Sequence, residues 1–520
     1  MTQSPGTKPN VISRDTPLET ARVFHAQRHE NMVRYQNDWL DYDGSAYQMI
    51  EDDTIESEVL DFLDKAKRLV AYEVFNETTG ETETKFRPEP FNPKDADVSQ
   101  VNKLLAHDCH VKAGAMVPPF FLDGGTGEHE GLDPANLISC QNGLLDITTR
   151  ILYSATPQFF TRTALPISYD PTAECPQWRT FLFQVLADDQ LIMLMQQWFG
   201  YLITTDISIQ KLLYLQGVPR SGKGTTARVL DELVGPRNVA SHTIHDLAIG
   251  FGREGLVGKS LLKIADMNTD NKQDLSQAVS IINGITGQDP LHIERKFKGP
   301  LDVNLKAHVV MIGNQFPDFG DHTTAIGERM NVIPFRVSFA GREDAELTPK
   351  LLTELPGILN FALDGLDSLR ETNKFIAVEA SEEAKRQILN SGNPVRGFVN
   401  DMCEIGPSFE TSKDDLFEAY TRYCITARAH PFSRNVFFSK LKTAVTSLQD
   451  TRPGYSDRER ALAGIGLRAA GPQTTITKTY WLDMDAVELG IFPLGDDRLI
   501  LLDPITGEPV EAIENEFPGA

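Results

Sequence analysis

Lys211-Leu-Leu-Tyr-Leu-Gln-Gly-Val-Pro-Arg-Ser-Gly-Lys-Gly-Thr-Thr226 is the stretch on which the fold turns. The apolar run Leu212 to Leu215 predicts a buried strand. Gly217 opens a loop and Gly222-Lys223 closes it; Thr225 to Val234 predicts a helix, stopped by Gly235 at the C-cap. A strand, a glycine-rich loop and a helix are the parts of a phosphate cradle. The glycines let backbone N–H groups turn inward, the helix N-terminus adds its positive end, and the lysine reaches the β- and γ-phosphates. The nucleotide-binding candidates are therefore Gly217, Pro219, Arg220, Ser221, Gly222, Lys223, Gly224, Thr225 and Thr226, with ATP as the cofactor. The usual pattern places Ser or Thr directly after the lysine to hold Mg²⁺, but here Gly224 stands there. Thr225 or Thr226 has to supply the hydroxyl. The bland alternative, a glycine-rich turn, is disfavoured by the flanking strand and helix.

At 520 residues the chain exceeds one core, and about three domains are expected. A hydrophobic content of 41% and a charged content of 24% belong to a globular protein in water. No apolar run is long enough to span a bilayer, and no basic-then-apolar leader opens the sequence, so no membrane partner is expected. The net charge of -23 argues against a protein coated by nucleic acid on all sides, but it permits a confined basic channel. The cysteines, Cys109, Cys140, Cys175, Cys403 and Cys424, are scattered without a Cys-x-x-Cys pair, which fits a reducing compartment, the cytoplasm. His107, Cys109 and His110 lie close together, but no fourth ligand accompanies them, and packing is the preferred reading.

Taken in order, residues 1–16 read as a disordered polar tail and 17–175 as a mixed α/β accessory domain. Within the latter, Ile50 to Val70 predicts an amphipathic helix, and Asn142-Gly143 turns into a short strand. Residues 176–392 hold the motor and its helical flank, with Pro176 to Ile203 helical. Leu256 to Asp266 predicts a second apolar strand ending in a carboxylate, suited to a Mg²⁺ shell and to orienting water; a plain turn acid is the alternative. Lys306 to Gly313 predicts a third strand with Asn314 at its tip, where an amide can hold the lytic water; a plain turn former is the alternative. Between them, His292-Ile-Glu-Arg-Lys-Phe-Lys298 concentrates positive charge beside a Gly299-Pro300 turn. It reads either as a solvated hairpin or as a loop gripping single-stranded nucleic acid through Arg295, Lys296 and Lys298, with His292 or Phe297 packed on a sugar or base. Arg329 precedes a last strand ending at Phe335; it reads either as a guanidinium that neutralises charge in a neighbouring subunit's site or as an ordinary ion-pair residue, with Arg336 as the rival candidate.

Ser391 to Pro394 reads as a linker. Residues 393–481 then give helices over Val395 to Met402, Ser412 to Tyr423 and Ser433 to Leu448, followed by a strand over Thr474 to Trp481. Helices followed by a small β-wing predict a winged helix that contacts DNA or protein. Residues 482–520 form an acidic tail in which Leu499 to Leu502 and Val510 to Ile513 flank a turn, predicting a hairpin.

The order of loop, strand-end Asp266, basic hairpin and strand-end Asn314 resembles the superfamily 3 helicases, AAA+ motors of small DNA viruses, phages and plasmids. The phrases Asn142-Gly-Leu-Leu-Asp146, Trp198-Phe-Gly-Tyr201, Ile285-Thr-Gly-Gln-Asp-Pro290, Arg295-Lys-Phe-Lys298 and Arg329-Met-Asn-Val-Ile-Pro-Phe335 resemble the phage primase-helicase and poxvirus-type branch. The likeness runs from about Trp39 to about Arg468. It implies an α/β AAA+ core on a parallel sheet, an accessory N-terminal domain and a C-terminal winged helix. It implies a ring, usually a hexamer, moving 3′ to 5′ on single-stranded or forked DNA with ATP and Mg²⁺ in the host-cell cytoplasm. Carried over by residue, Lys223 contacts the phosphates, Thr225 or Thr226 lies near Mg²⁺, and Asp266 is the second-motif acid and a metal ligand. Asn314 is the γ-phosphate sensor, Arg329 the finger in trans, and Lys296 and Lys298 are cations of the DNA loop. Asp266 stands alone where many relatives have a pair of acids, and no primase half is visible, so a separate primase is expected. Two other classes stay open: a DNA-binding initiator or adaptor with a degraded ATPase, and a nucleotide kinase, which also writes Gly-Lys-Gly-Thr.

Overall fold

A parallel strand covered on both faces has to be apolar along its length. Leu212–Gly217 is such a strand, with Leu212, Leu213, Tyr214 and Leu215 no more than 1% exposed. The structure is a computed structural model that describes residues 10–76, 81–112, 117–265, 272–296, 299–314, 323–392, 394–426, 431–451, 460–468, 491–494, 498–502 and 509–514. Two compact units divide the chain: residues 1–397 with 424–431, and residues 398–423 with 432–520.

In the first unit, Leu212–Gly217 lies in a five-stranded sheet, and every neighbouring pair in it is parallel. The order is Val239–His242, Leu261–Ala265, His308–Gly313, Leu212–Gly217, Met330–Phe335. Side chains alternate across a strand, so this sheet feeds two cores. Leu213, Leu215, Val310, Ile333 and Phe335 join one core with Val229, Leu230 and Leu233 of the Lys223–Val234 helix. Leu212, Tyr214, Val309, Met311 and Val332 join the other with Ala278, Val279, Ile282 and Ile285 of the Lys272–Gly287 helix.

The helical region 176–203 is two helices, Pro176–Leu186 and Asp189–Leu202. Ala187 takes a left-handed φ of 51° between them, and Asp188 caps the second through the N–H groups of Gln190 and Leu191. Two expected elements are shorter than their apolar patterns. The helix read over Ile50 to Val70 is Asp52–Lys65; Ala66 turns extended, and Lys67–Asn76 pairs as a strand with Glu81–Pro90. Leu69, Val70, Tyr72, Val74 and Phe75 suit a strand as well as a helix, and the remote pairing decides. The strand read from Leu256 begins at Leu261, because residues 250–256 form 3₁₀ turns.

The segment 17–175 does not share a single core. Phe24, Trp39, Val59, Phe62, Val101 and Leu105 pack together, whereas Ile138, Leu145, Ile147, Leu165 and Ile167 join the core of the sheet. Cys109 lies in the former core with its thiol pushed up to about 12 by burial, and no metal-binding group of His, Cys, Asp and Glu occurs among the described residues. All five cysteines are free and buried, and burial likewise pushes Cys140 and Cys403 up to about 12.

In the second unit, Cys403–Ser412, Ala461–Leu467 and Gln449–Thr451 form an antiparallel sheet in the order first, second, third as named. Phe398, Leu416, Tyr420, Phe437 and Leu441 are fully buried, with the Tyr420 and Phe437 rings stacked 4.3 Å apart. The helices are Pro394–Met402, Lys413–Thr426 and Arg434–Ala444. The linker read at Ser391 to Pro394 is thus flanked directly by helices, one ending at Gly392. The strand expected over Thr474 to Trp481 lies outside the described residues. The terminal hairpin is present, with Arg498–Leu502 antiparallel to Pro509–Glu514. Among the described residues no helix is long and apolar enough to cross a membrane.

Candidate functional site

Leu212–Gly217 delivers its loop at the edge of the sheet where Gln216 lies opposite Gly313 and Gly217 opposite Phe335. A Cβ on Gly217 would sit 2.1 Å from the carbonyl oxygen of Phe335, so only glycine fits there. Gly222 takes φ +95° and caps the Lys223–Val234 helix. The loop is pinned from behind: Phe339 N–H donates to the Arg220 carbonyl at 2.9 Å, and Ser338 Oγ donates to the Pro219 carbonyl at 3.1 Å. Arg220 is an exposed residue paired with Glu343 at 2.7 Å.

Lys223 is the first residue of the helix and 8% exposed. Its Nζ donates to the carbonyls of Gly217 and Val218, both at 2.7 Å, and to Ser221 Oγ at 3.3 Å. Burial lowers its pKa. Among the described residues the ammonium is held by dipoles and hydroxyl oxygen rather than by a carboxylate, which leaves its charge available to an anion. Of the two candidate hydroxyls, Thr226 Oγ1 is buried and donates to the Gly222 carbonyl at 3.2 Å. Thr225 instead lines a cavity of about 560 Å³ with Gly222, Gly224, Arg228, Phe339 and Arg342. Arg228 donates to Thr225 Oγ1 at 3.2 Å; nothing in the sequence pattern marked it.

Asn314 follows His308–Gly313 directly, exposed, at this same edge of the sheet. Asp266 lies outside the described residues; its strand ends at Ala265, opposite Ile312 on the neighbouring strand. Arg329 lies before the first residue of Met330–Phe335, at the opposite end of that strand from Phe335. Six strand residues span about 20 Å, so Arg329 is remote from Lys223 within one chain. Its guanidinium donates to Asn283 Oδ1 at 3.3 Å. Arg336, the rival, pairs with Glu383 at 3.7 Å.

The basic segment does form a hairpin, Leu291–Ile293 against Leu301–Val303. His292 faces Asp302 across it and bonds it at 2.8 Å. Arg295 corrects the sequence reading. It is not a solvent-facing phosphate grip: its side chain is 5% exposed, donates to both oxygens of buried Asp38 at 3.2 and 3.3 Å, and bonds the Gly299 carbonyl at 3.1 Å. The carboxylate of Asp38, distant in sequence, pulls this cation inward. Lys296 is exposed, while Phe297 and Lys298 lie outside the described residues.

Two family models match parts of the chain. Residues 21–187 match one described as D5 N terminal like, and residues 215–329 match a family of unknown function, DUF5906. Among solved structures, the A form apo structure of the NrS-1 C terminal region is 12% identical, covering 86% of this chain and 100% of that one with a TM-score of 0.46. Another apo structure of the same region is also 12% identical, covering 87% of this chain and 100% of that one with a TM-score of 0.44.

Proposed function

We propose that this chain is an ATP-dependent replicative DNA helicase of a phage or mobile element, working as a ring, of six subunits by resemblance, that moves 3′ to 5′ along single-stranded DNA. The observation that carries the reading is the edge of the parallel sheet. A buried lysine, with no carboxylate partner among the described residues, sits at the tip of the Leu212–Gly217 strand, and Asn314 sits at the tip of the strand beside it. A hairpin is inserted between the Lys272–Gly287 helix and that Asn314 strand. The match of residues 21–187 to the D5 N terminal like model supports the phage and plasmid primase-helicase setting, in which such a domain is typical. The second unit supports DNA contact: helix, strand, two helices and two strands follow one another in the order of a winged helix.

In this reading Lys223 neutralises the β- and γ-phosphates, Asn314 holds the lytic water, and Arg329 reaches a neighbouring subunit's nucleotide. Mg²⁺ would take its protein oxygen from Thr225, which lines the cavity, with Asp266 as the acid of the second motif. Lys296, exposed on the hairpin, is the cation this reading assigns to DNA.

The test is ATP hydrolysis measured with and without single-stranded DNA. Turnover should rise with DNA and fall about 10³-fold in Lys223→Ala. Phosphate transfer to a mononucleotide, or turnover indifferent to DNA, would overturn the proposal.

A further inference from the structure

At the other end of the sheet, a small cavity of about 80 Å³ opens where the chain enters the Leu261–Ala265 and His308–Gly313 strands. Arg162, Lys259 and Lys306 line it, together with the hydroxyls of Thr161, Thr205 and Ser260. Arg162 is the unusual member. Its guanidinium is pressed against the backbone of Gly258: a Cβ there would lie 2.5 Å from Cζ and 2.6 Å from Nε. A guanidinium carries five N–H donors, and Arg162 has no hydrogen-bond acceptor among the described residues.

Its electrostatic surroundings are lopsided. Asp38 is the carboxylate that acts on it, and Asp38 is already bonded to Arg295. Arg295 and Lys259 both add like charge, and burial lowers the pKa of Arg162 and of Lys259. Lys259 directs its ammonium to the Arg237 carbonyl, and Lys306 stands exposed on the rim. Two cations, Arg162 and Arg295, share the carboxylate of Asp38, and Lys259 adds a third positive charge beside Arg162, a local excess in a chain of net charge -23. The Arg162 nitrogens are not among the buried polar atoms that lack a partner, so they reach water, and the fork stays open to an anion.

We propose that this cavity binds a phosphate group of a nucleic-acid strand, with Arg162 as the fork and Lys306 as the rim contact. The cavity is small beside sites that enclose a whole ligand, so it suits one tetrahedral anion and not a nucleoside. Planar guanidinium forks fit phosphate oxygens in pairs, and the threonine and serine hydroxyls can serve the rest. The proposal rests on the motor reading, because it makes this end of the sheet a second point of contact with the strand.

The experiment is binding of a fluorescein-labelled single-stranded oligonucleotide, followed by anisotropy over a range of salt concentrations. Each lost phosphate contact should lower the slope of log K against log salt by about 0.7. We expect that loss in Arg162→Gln and separately in Lys306→Glu, the latter on an exposed residue whose change leaves the fold intact by circular dichroism. Unchanged slopes in Lys306→Glu and in folded Arg162→Gln would overturn the pocket while leaving the motor reading standing. An unmodified protein that binds no oligonucleotide would overturn both. Melting in inorganic phosphate is the second arm. If phosphate stabilises the unmodified protein, but not Arg162→Gln, while the oligonucleotide slopes stay unchanged, the site takes a free anion and the nucleic-acid assignment is wrong.

Discussion

The loop at Lys223 and the hairpin at Arg295 look alike in sequence, each a cation within four residues of a glycine in a turn. The fold treats them in opposite ways. Lys223 is buried against carbonyls of its own loop, five and six residues away, with no carboxylate among the described residues to cancel it. Arg295 is buried against Asp38, 257 residues away, and is cancelled. A buried cation surrounded by dipoles keeps its charge for a ligand, whereas one on a carboxylate has become part of the scaffold. Burial alone therefore does not distinguish a functional cation from a structural one; the partner does.

The largest effect that separates the two is at Lys223. Lys223→Ala should remove ATP turnover, at about 10³-fold a loss of about 4 kcal/mol in the transition state, yet shift unfolding in urea by no more than about 1 kcal/mol. Asp38→Ala should do the reverse. It leaves Arg295 buried without its counter-charge and should lower the unfolding free energy by about 3 kcal/mol, with Asp38→Ala plus Arg295→Met regaining most of it. If Asp38→Ala unfolds like the unmodified protein, the anchor is not structural and the contrast fails.

His29 sharpens the comparison with a remote pair that titrates. It bonds Asp41 at 2.7 Å and Glu58 at 2.5 Å, and the Asp41 hydrogen bond leads in raising its pKa. A raised folded pKa adds stability that is fully present below the unfolded value near 6.5 and is lost as pH rises through the folded value. His29→Gln should therefore cost about 1 kcal/mol at pH 6 and almost nothing at pH 9, read from urea midpoints. The smallest effect is expected at Gly224→Ser. The nearest atom to a new Cβ is Arg228 Nη1 at 3.6 Å, so stability should hold within about 0.5 kcal/mol. Its use is to ask, through the Mg²⁺ dependence of turnover, whether a hydroxyl directly after the lysine replaces Thr225.

This contrast also marks what could be read from residues alone. The cradle was legible because its geometry is local: an apolar run, two glycines and a helix start fix the strand, the turn and the position of Lys223. The hairpin was legible as a hairpin from Gly299-Pro300, but the fate of Arg295 was not, since nothing near it in sequence announces Asp38. The strand Cys403–Ser412 was missed because Gly406 and Pro407 interrupt it; the ladder tolerates them only through a register shift between Ile405 and Glu410. Leu69 and Val70 fit a helix or a strand equally, because their spacing satisfies either period over a short run. Arg162 gave no sequence signal at all, since its meaning comes from Gly258 and Lys259 closing over it.

The buried thiols have a practical reach. With Cys109, Cys140 and Cys403 pushed up to about 12, the thiolate that attacks maleimides is scarce near neutral pH, and Cys175 is raised by burial as well. Cys424 is buried too, so a single cysteine introduced at the exposed Lys296 position should accordingly take a fluorophore selectively in the unmodified background, giving a dye on the hairpin with which the proposed movement can be tested.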